Sequence, residues 1–267
     1  MDLRSRFGFH CVPFTREVEN DRLLKLSFLE EALVGIREIV ERRMSAALIA
    51  PAGSGKTALS RRLVADLPEA RYATTYIKVT SLSKRDMCRE IARACGADTA
   101  GTYAALVDKL QVRFAGTYGS EGRRCVLILD EAHDLRPDVL GMLRILTNFE
   151  MDSRLVISLV LIGQPPLGKM LEREDQEAVA RRIAFYASLR LLSREETARY
   201  IEHRCVVAGC TKTPFDDASL DAMYEISRGN MRAIDGLALQ ALVCADREKH
   251  DVVDTRHVAA ARKHLSP

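Results

Sequence analysis

Eight consecutive residues, Ala50-Pro51-Ala52-Gly53-Ser54-Gly55-Lys56-Thr57, carry the sharpest chemistry in this 267-residue sequence. Small residues let successive backbone N–H groups curl around an anion, and the helix expected to follow adds the positive end of its dipole. In such a loop the lysine, Lys56, reaches the β- and γ-phosphates of ATP, and the hydroxyl of Thr57 ligates Mg2+. Pro51, Ala52, Gly53, Ser54, Gly55, Lys56 and Thr57 are therefore expected to bind nucleotide. About 75 positions further on, Asp130-Glu131 closes the apolar run Cys125–Leu129. A carboxylate at the C-terminal edge of a parallel strand lies where ligands bind in such sheets. Asp130 is expected to hold Mg2+ through water, and Glu131 to polarise the water that attacks the γ-phosphate.

Further polar residues stand at telling places. Gln164 directly follows the apolar run Leu155–Ile162. At that edge it is expected to contact the γ-phosphate or the water; the alternative is a loop cap before Pro165-Pro166. Arg181-Arg182 ends an expected helix before the last strand. The pair is either a solvated face or a finger reaching a neighbouring subunit's ATP, and the residues alone leave both open. Arg232 opens an expected helix, where the dipole disfavours a cation, so a phosphate partner would account for it. The string Asp130-Glu131-Ala132-His133 also occurs in helicases. The length leaves no room for a second helicase core domain, so His133 is read as a local structural residue.

The elements that must position these groups follow from hydrophobic period. Apolar residues at Leu26, Leu29, Leu33, Ile36 and Val40 predict a helix within Leu23–Arg43, after an arm holding Phe7, Phe9, Pro13 and Phe14. Strands are predicted at Ala46–Ala50, Thr74–Val79, Cys125–Leu129, Leu155–Ile162 and Ala184–Leu189. Helices are predicted between them at Thr57–Leu67, Lys84–Cys95, Tyr103–Phe114, Pro137–Phe149 and Glu172–Arg182. This alternation implies a five-stranded parallel sheet covered on both faces. After Leu192 no strand signal remains. Ser193 resembles a helix N-cap, and Asp216/Asp217, Gly229/Asn230 and Asp254/Thr255 punctuate three more helices. The expected organisation is an arm and helix over 1–44, a nucleotide-binding α/β domain over 45–192 and a helical lid over 193–267.

Composition narrows the class. The chain is 47% hydrophobic with a net charge of +3, which supports a globular core and permits nucleic-acid binding without implying it. Seven cysteines form no Cys-x-x-Cys pair, which argues against a zinc site of cysteine spacing and for reduced, mostly buried thiols. The longest apolar run is too short to span a bilayer, and the N-terminus lacks the apolar segment of a signal peptide. A cytoplasmic protein is expected, with no membrane contact.

The order of phosphate loop, Asp-Glu, Gln after the fourth strand, Arg-Arg before the fifth and a helical lid with Gly229-Asn230-Met231-Arg232 resembles an AAA+ ATPase. More closely, the chain resembles ATPases of the ExeA/GspA type and the transposition ATPases MuB and TnsC. Phe7-Gly8-Phe9 with Pro13-Phe14, Leu161-Ile162-Gly163-Gln164-Pro165, and Glu196, Tyr200-Ile201, Arg204 and Ala208-Gly209 carry that likeness over nearly the whole chain. It implies a P-loop AAA+ core with Arg181 or Arg182 as a finger acting in trans and Arg232 as a second sensor. Ala50 in place of glycine and Met231 in place of proline depart from the pattern. The stand-alone length points to the transposition group, which implies homo-oligomeric rings or filaments on double-stranded DNA and a transposase partner. The matching DNA-facing positions are Lys84 or Arg85 and Thr102. Cations there neutralise phosphates and the threonine hydroxyl bonds a phosphate oxygen. The alternatives are an AAA+ ATPase acting on a protein partner without DNA, as in secretion, and a scaffold that binds ATP as a structural ligand.

Overall fold

The computed structural model describes residues 3–15, 17–149 and 155–264. In chain order the helices and strands are α1 (Leu3–Phe7), α2 (Ser27–Glu41), β1 (Ser45–Ile49), α3 (Lys56–Ala65), β2 (Tyr72–Lys78), α4 (Lys84–Cys95), α5 (Tyr103–Gly119), β3 (Arg124–Asp130) and α6 (Pro137–Leu146). Then follow β4 (Ile157–Gly163), α7 (Pro165–Leu171), α8 (Glu177–Ala180), β5 (Ile183–Ser188), α9 (Arg194–Val207), α10 (Asp217–Ser227), α11 (Met231–Arg247) and α12 (Thr255–His264). Two compact units result. One holds Leu26–Pro51 and Lys56–Leu189; the other holds Met1–Lys25, Ala52–Gly55 and Arg190–Pro267.

In the first unit the five strands pair in parallel in the order β2-β3-β4-β1-β5. Both faces of the sheet are apolar, because period-2 alternation sends successive side chains to opposite sides. Cys125, Leu127 and Leu129 of β3 and Ile157, Leu159 and Leu161 of β4 join a core with Met87, Ile91, Leu106, Leu110 and Leu140. Val126, Ile128, Val160 and Ile162 join the opposite core with Ile36, Val40, Leu59 and Leu63. Thus α4, α5 and α6 cover one face, and α2 and α3 cover the other. The fold is the expected P-loop AAA+ α/β sheet with a helical C-terminal part.

The predicted α5 runs on to Gly119 and α6 stops at Leu146, but the largest departure in this unit lies after β4. In place of one helix over Glu172–Arg182 there are a 3-10 turn at Glu174–Gln176 and the short α8, and the unpredicted α7 precedes them. Pro165 and Pro166 open α7 rather than a loop. The first helical turn needs no N–H from its residues, and proline's fixed φ suits it.

The second unit packs α9–α12 with the N-terminal arm, which itself opens with α1. Its helix starts are capped by side chains: Ser193 accepts from the Glu196 amide, Asp216 from Ser219 and Asn230 from Ala233. A buried arginine fastens the arm. The Arg204 guanidinium donates to the Thr15 carbonyl at 2.5 Å and to the Tyr200 hydroxyl at 2.8 Å, pairs with Asp235 at 3.2 Å and lies over the Phe14 ring. Phe14 meets Phe215 edge-on, with ring centroids 6.1 Å apart. Among the described residues no helix is long and apolar enough to cross a membrane. Burial pushes the thiols of Cys88 and Cys125 up to about 11 and that of Cys205 up to about 12, so these three stay protonated and unreactive.

Glu196 closes a capping box at the start of α9 and forms a two-pronged bond with Arg190, at 2.6 and 2.8 Å. That guanidinium, aided by the Ser193 amide, holds the carboxyl down to about 2. A depressed carboxylate contributes stability above its unfolded pKa and loses it as pH falls through the folded one. Glu196→Gln is therefore expected to be less stable than the parent at neutral pH. The difference should shrink between roughly pH 5 and pH 2. Denaturant unfolding at several pH values checks this; a difference independent of pH contradicts it.

Candidate functional site

The site grows from one edge of the sheet. β4 lies between β1 and β3, so the C-terminal ends of three adjacent strands present the loop after β1, Gln164 after β4 and Asp130-Glu131 at the end of β3. Ile49 is in register with Gly163, and the Ala50 amide donates to the Gly163 carbonyl at 2.9 Å. A Cβ at Gly163 would press on the His133 amide and the Leu167 side chain, so glycine allows the chain after β3 to approach the end of β4.

Within the loop, Gly53 and Gly55 take positive φ, 75° and 94°, which few other residues tolerate. Lys56 is buried, and its ammonium donates to the carbonyls of Ala50 at 3.0 Å and Pro51 at 2.9 Å. Thr57, one residue into α3, is exposed. The loop tip, Ala52–Gly55, is held by the start of α11. The Asn230 side-chain amide donates to the Ala52 carbonyl at 2.9 Å, and the Met231 amide donates to the Gly53 carbonyl at 2.9 Å. A side chain at Gly53 would overlap Asn230. Asn230 thus does two things: its oxygen caps α11 and its nitrogen ties the loop. Arg232 stands exposed in the same first turn of α11.

At the end of β3 the buried Asp130 carboxylate is fixed at both oxygens. The Tyr76 hydroxyl donates to Oδ2 at 2.7 Å, and the Glu131 amide donates to Oδ1 at 2.8 Å. Burial first, and the Asp130 carboxylate second, raise the Tyr76 phenol well above its ordinary range, so it remains a proton donor. Glu131 itself takes a left-handed conformation, φ 56°, uncommon for a residue with a Cβ. Its Oε2 is buried with no hydrogen-bond partner. His133 Nδ1 lies 3.5 Å from that oxygen, and His133 Nε2 lies 2.8 Å from the Gln164 side-chain nitrogen. Glu131, His133 and Gln164 therefore form one polar cluster.

Other predicted positions lie elsewhere in the sheet unit. Arg181 and Arg182 precede Ile183, which pairs with Ser45 at the N-terminal ends of β5 and β1. They stand at the sheet edge opposite Asp130 and Gln164, and Arg181 pairs with Glu177 at 2.6 Å. Of Lys84, Arg85 and Thr102, Arg85 links the two segments: it donates to the Gly101 carbonyl at 3.0 Å, tying the first turn of α4 to the residue before Thr102. The Thr102 hydroxyl oxygen accepts from the Ala105 amide as N-cap. Arg89 and Arg93 on α4 are paired with Asp86 and Glu90, which neutralises the rest of that helix face.

Tyr76 is an addition that the sequence reading lacks, and His133, read there as a local structural residue, joins the polar cluster. Tyr76 reaches Asp130 across the β2–β3 register, a relation no local pattern displays. His133 lies in a motif string, which was the available signal. Asn230 was legible as a helix cap but not as a partner of the loop.

The arrangement can seat a triphosphate and its cation. Amides of a tight loop, a buried ammonium, an oriented carboxylate and a second carboxylate with an unpaired oxygen are the donor set that ATP and Mg2+ require. Residues 38–171 match the AAA domain family. The chain is 34% identical over 206 residues to General secretion pathway protein A of Aeromonas hydrophila, covering 75% of this chain and 37% of that one. It thus spans little more than a third of that relative's length. Similar solved structures are Cdc6p from Pyrobaculum aerophilum (TM-score 0.75, 18% identity, 94% of this chain and 70% of that chain) and Aeropyrum pernix ORC1 in complex with DNA (TM-score 0.68, 19%, 91% and 67%). The Thermotoga maritima RuvB Holliday junction branch migration motor is similar too (TM-score 0.62, 19%, 94% and 73%). At these identities the solved structures speak for the fold alone. With half the chain matched by the family and the phosphate loop and strand-end carboxylates in place, the chain belongs to the AAA domain family and is an AAA+ ATPase.

Proposed function

We propose that this ATPase assembles with copies of itself on double-stranded DNA and serves a transposase, as the resemblance to MuB and TnsC implies. In this reading Pro51–Thr57 cradle the triphosphate, and Lys56 leaves its loop carbonyls for the β- and γ-phosphates. Thr57 and Asp130 hold Mg2+, which supplies charge neutralisation. Glu131 orients and polarises the attacking water, and its unpaired Oε2 supports that role. Gln164 contacts the γ-phosphate or the water, with His133 as a positioning residue between it and Glu131. Arg181 or Arg182 acts on a neighbour's ATP, since both stand at the far edge of their own sheet. Arg232 meets the nucleotide from the turn that already bonds the loop.

The observation that carries the DNA reading is the Arg85–Gly101 bond. It joins two helix N-termini with Lys84, Arg85 and the Thr102 hydroxyl on one edge. The capping bond uses the Thr102 oxygen as acceptor and leaves its proton for a phosphate. Two N-termini add favourable dipoles, and repetition along a filament multiplies a weak contact. A second reading, an ATPase acting on a protein partner, is favoured by the identity to General secretion pathway protein A. Turnover stimulated by duplex DNA supports the first; stimulation only by a protein partner supports the second.

Five outcomes are expected. Glu131→Gln should bind ATP while turnover falls by roughly 100-fold or more, the share of a general base. His133→Ala should lower kcat without weakening ATP binding. Mixing Lys56→Ala protein with an Arg181→Ala/Arg182→Ala double variant should restore part of the activity. Normal turnover by Glu131→Gln, or no rescue on mixing, removes the corresponding assignment. Asn230→Asp keeps the oxygen that caps α11 but loses the donor to Ala52. Loss of that bond costs about 1 kcal/mol of stability, and the carboxylate set beside the phosphate loop should also weaken ATP binding; unchanged affinity excludes coupling of Asn230 to the nucleotide. Lys84→Glu/Arg85→Glu should weaken duplex binding strongly and flatten its salt dependence, with ATP binding by the isolated protein intact. Unchanged DNA affinity at low salt would show that this edge does not face DNA.

A further inference from the structure

We infer that the last two helices carry a site for a divalent transition-metal ion, Zn2+ by preference, built from Glu248, His250 and His257. The cysteine spacings argue against a thiolate zinc site, but this cluster contains none. Glu248 ends α11 as its C-cap, and Lys249 follows in a left-handed conformation, φ 59°, turning the chain so that His250 folds back beside Glu248. His257 projects from the first turn of α12, and its side chain is fully buried.

Three potential ligand atoms converge. His250 Nδ1 and His257 Nε2 are 2.9 Å apart, with the rings edge-on at 75°. Glu248 Oε2 is 3.2 Å from His257 Nε2 and 3.5 Å from His250 Nδ1. Ligands bound at about 2.0–2.1 Å to tetrahedral Zn2+ stand about 3.3 Å from one another. The observed triangle brackets that edge on all three sides, so one ion can sit just off its plane at bonding distance from each atom. Hydrogen bonding alone satisfies the triangle less well. A proton between the two rings serves one edge and leaves the carboxylate oxygen to compete for it, whereas a cation serves all three lone pairs at once.

The outer contacts suit the same role. His257 Nδ1 lies 3.0 Å from Asp254 Oδ1, the carboxylate–imidazole relay that orients metal-bound histidine and raises its basicity. The Asp254 amide also approaches Nδ1 at 3.0 Å, so without metal the same ring can act as a cap at the start of α12. Glu248 and His250 are partly exposed, at 52% and 43% of their side chains, which leaves an entry path and room for water as fourth ligand. Two imidazoles and one carboxylate are borderline donors, matched to Zn2+ or Co2+ rather than to Mg2+ or Ca2+. A bound ion would clamp the start of α12 to the end of α11, the helix whose first turn holds the tip of the phosphate loop.

The test uses the whole chain, stripped with a chelator and kept reduced. Zn2+ titrated by calorimetry should bind at one site with Kd of about 1 µM or tighter, and Co2+ should give the visible bands of a four-coordinate nitrogen–oxygen site. Replacing His257 would also remove the α12 cap, so the variants are His250→Ala and Glu248→Gln, on the exposed side of the site. Each should weaken binding at least tenfold and abolish the rise in melting temperature that Zn2+ gives the parent. Circular dichroism should show the fold retained without metal in both. The proposal is overturned by the absence of micromolar binding in the parent. It is equally overturned if both variants bind as the parent does, or if the Co2+ spectrum carries thiolate charge-transfer bands.

Discussion

Parallel pairing of β4 between β1 and β3 is the constraint on which the rest depends. It brings three strand ends together at one sheet edge, and each end delivers one polar element: the phosphate loop, Gln164, and Asp130 with Glu131. The tolerance is small. The Ala50 amide and the Gly163 carbonyl share the last bond before the chains diverge, and Gly163 leaves room for the backbone of His133. A register slip of one residue would send the side chains of β3 and β4 into the opposite cores, whose shapes they do not fit, and carry the site residues away from one another.

The polar groups at this edge differ in how firmly they are held. Asp130 is bonded at both oxygens and buried. Glu131, its neighbour, combines a left-handed backbone with a buried oxygen that has no partner. Both features cost free energy, and such costs persist at sites where surroundings over-determine the geometry for a purpose. One carboxylate is fixed as a cation ligand would be, and the next is left with bonding capacity for something that arrives.

Much of this was legible in the residues. The phosphate loop, the Asp-Glu pair, the five strands and the boundaries of α4 follow from local pattern, because a tight anion loop needs small residues and a buried parallel strand needs a continuous apolar run. What sequence could not display lies through space. Tyr76 meets Asp130 only because β2 and β3 pair in one particular register, and Asn230 meets Ala52 across 178 positions. His133 was read as a local structural residue once the helicase reading of its motif string was set aside; Gln164, 31 positions away, supplies the partner that local sequence could not display. No helix was predicted over Pro165–Leu171, although proline is at home in a first turn.

The buried Arg204 has a consequence for how the chain acquires its structure. Its contact with Thr15 spans 189 positions, and Cys210 reaches back to Phe7 over 203. The arm is synthesised well before the groups that receive it. At usual elongation rates of about 5–20 residues per second, the aromatic residues of the arm wait roughly 10–40 s for their partners. The sheet unit can close meanwhile, since its strands are complete once Ser188 has emerged. Phe7, Phe9 and Phe14 lack these partners through that interval, so the nascent arm offers apolar rings that chaperones or neighbouring copies can engage before the helical unit claims them.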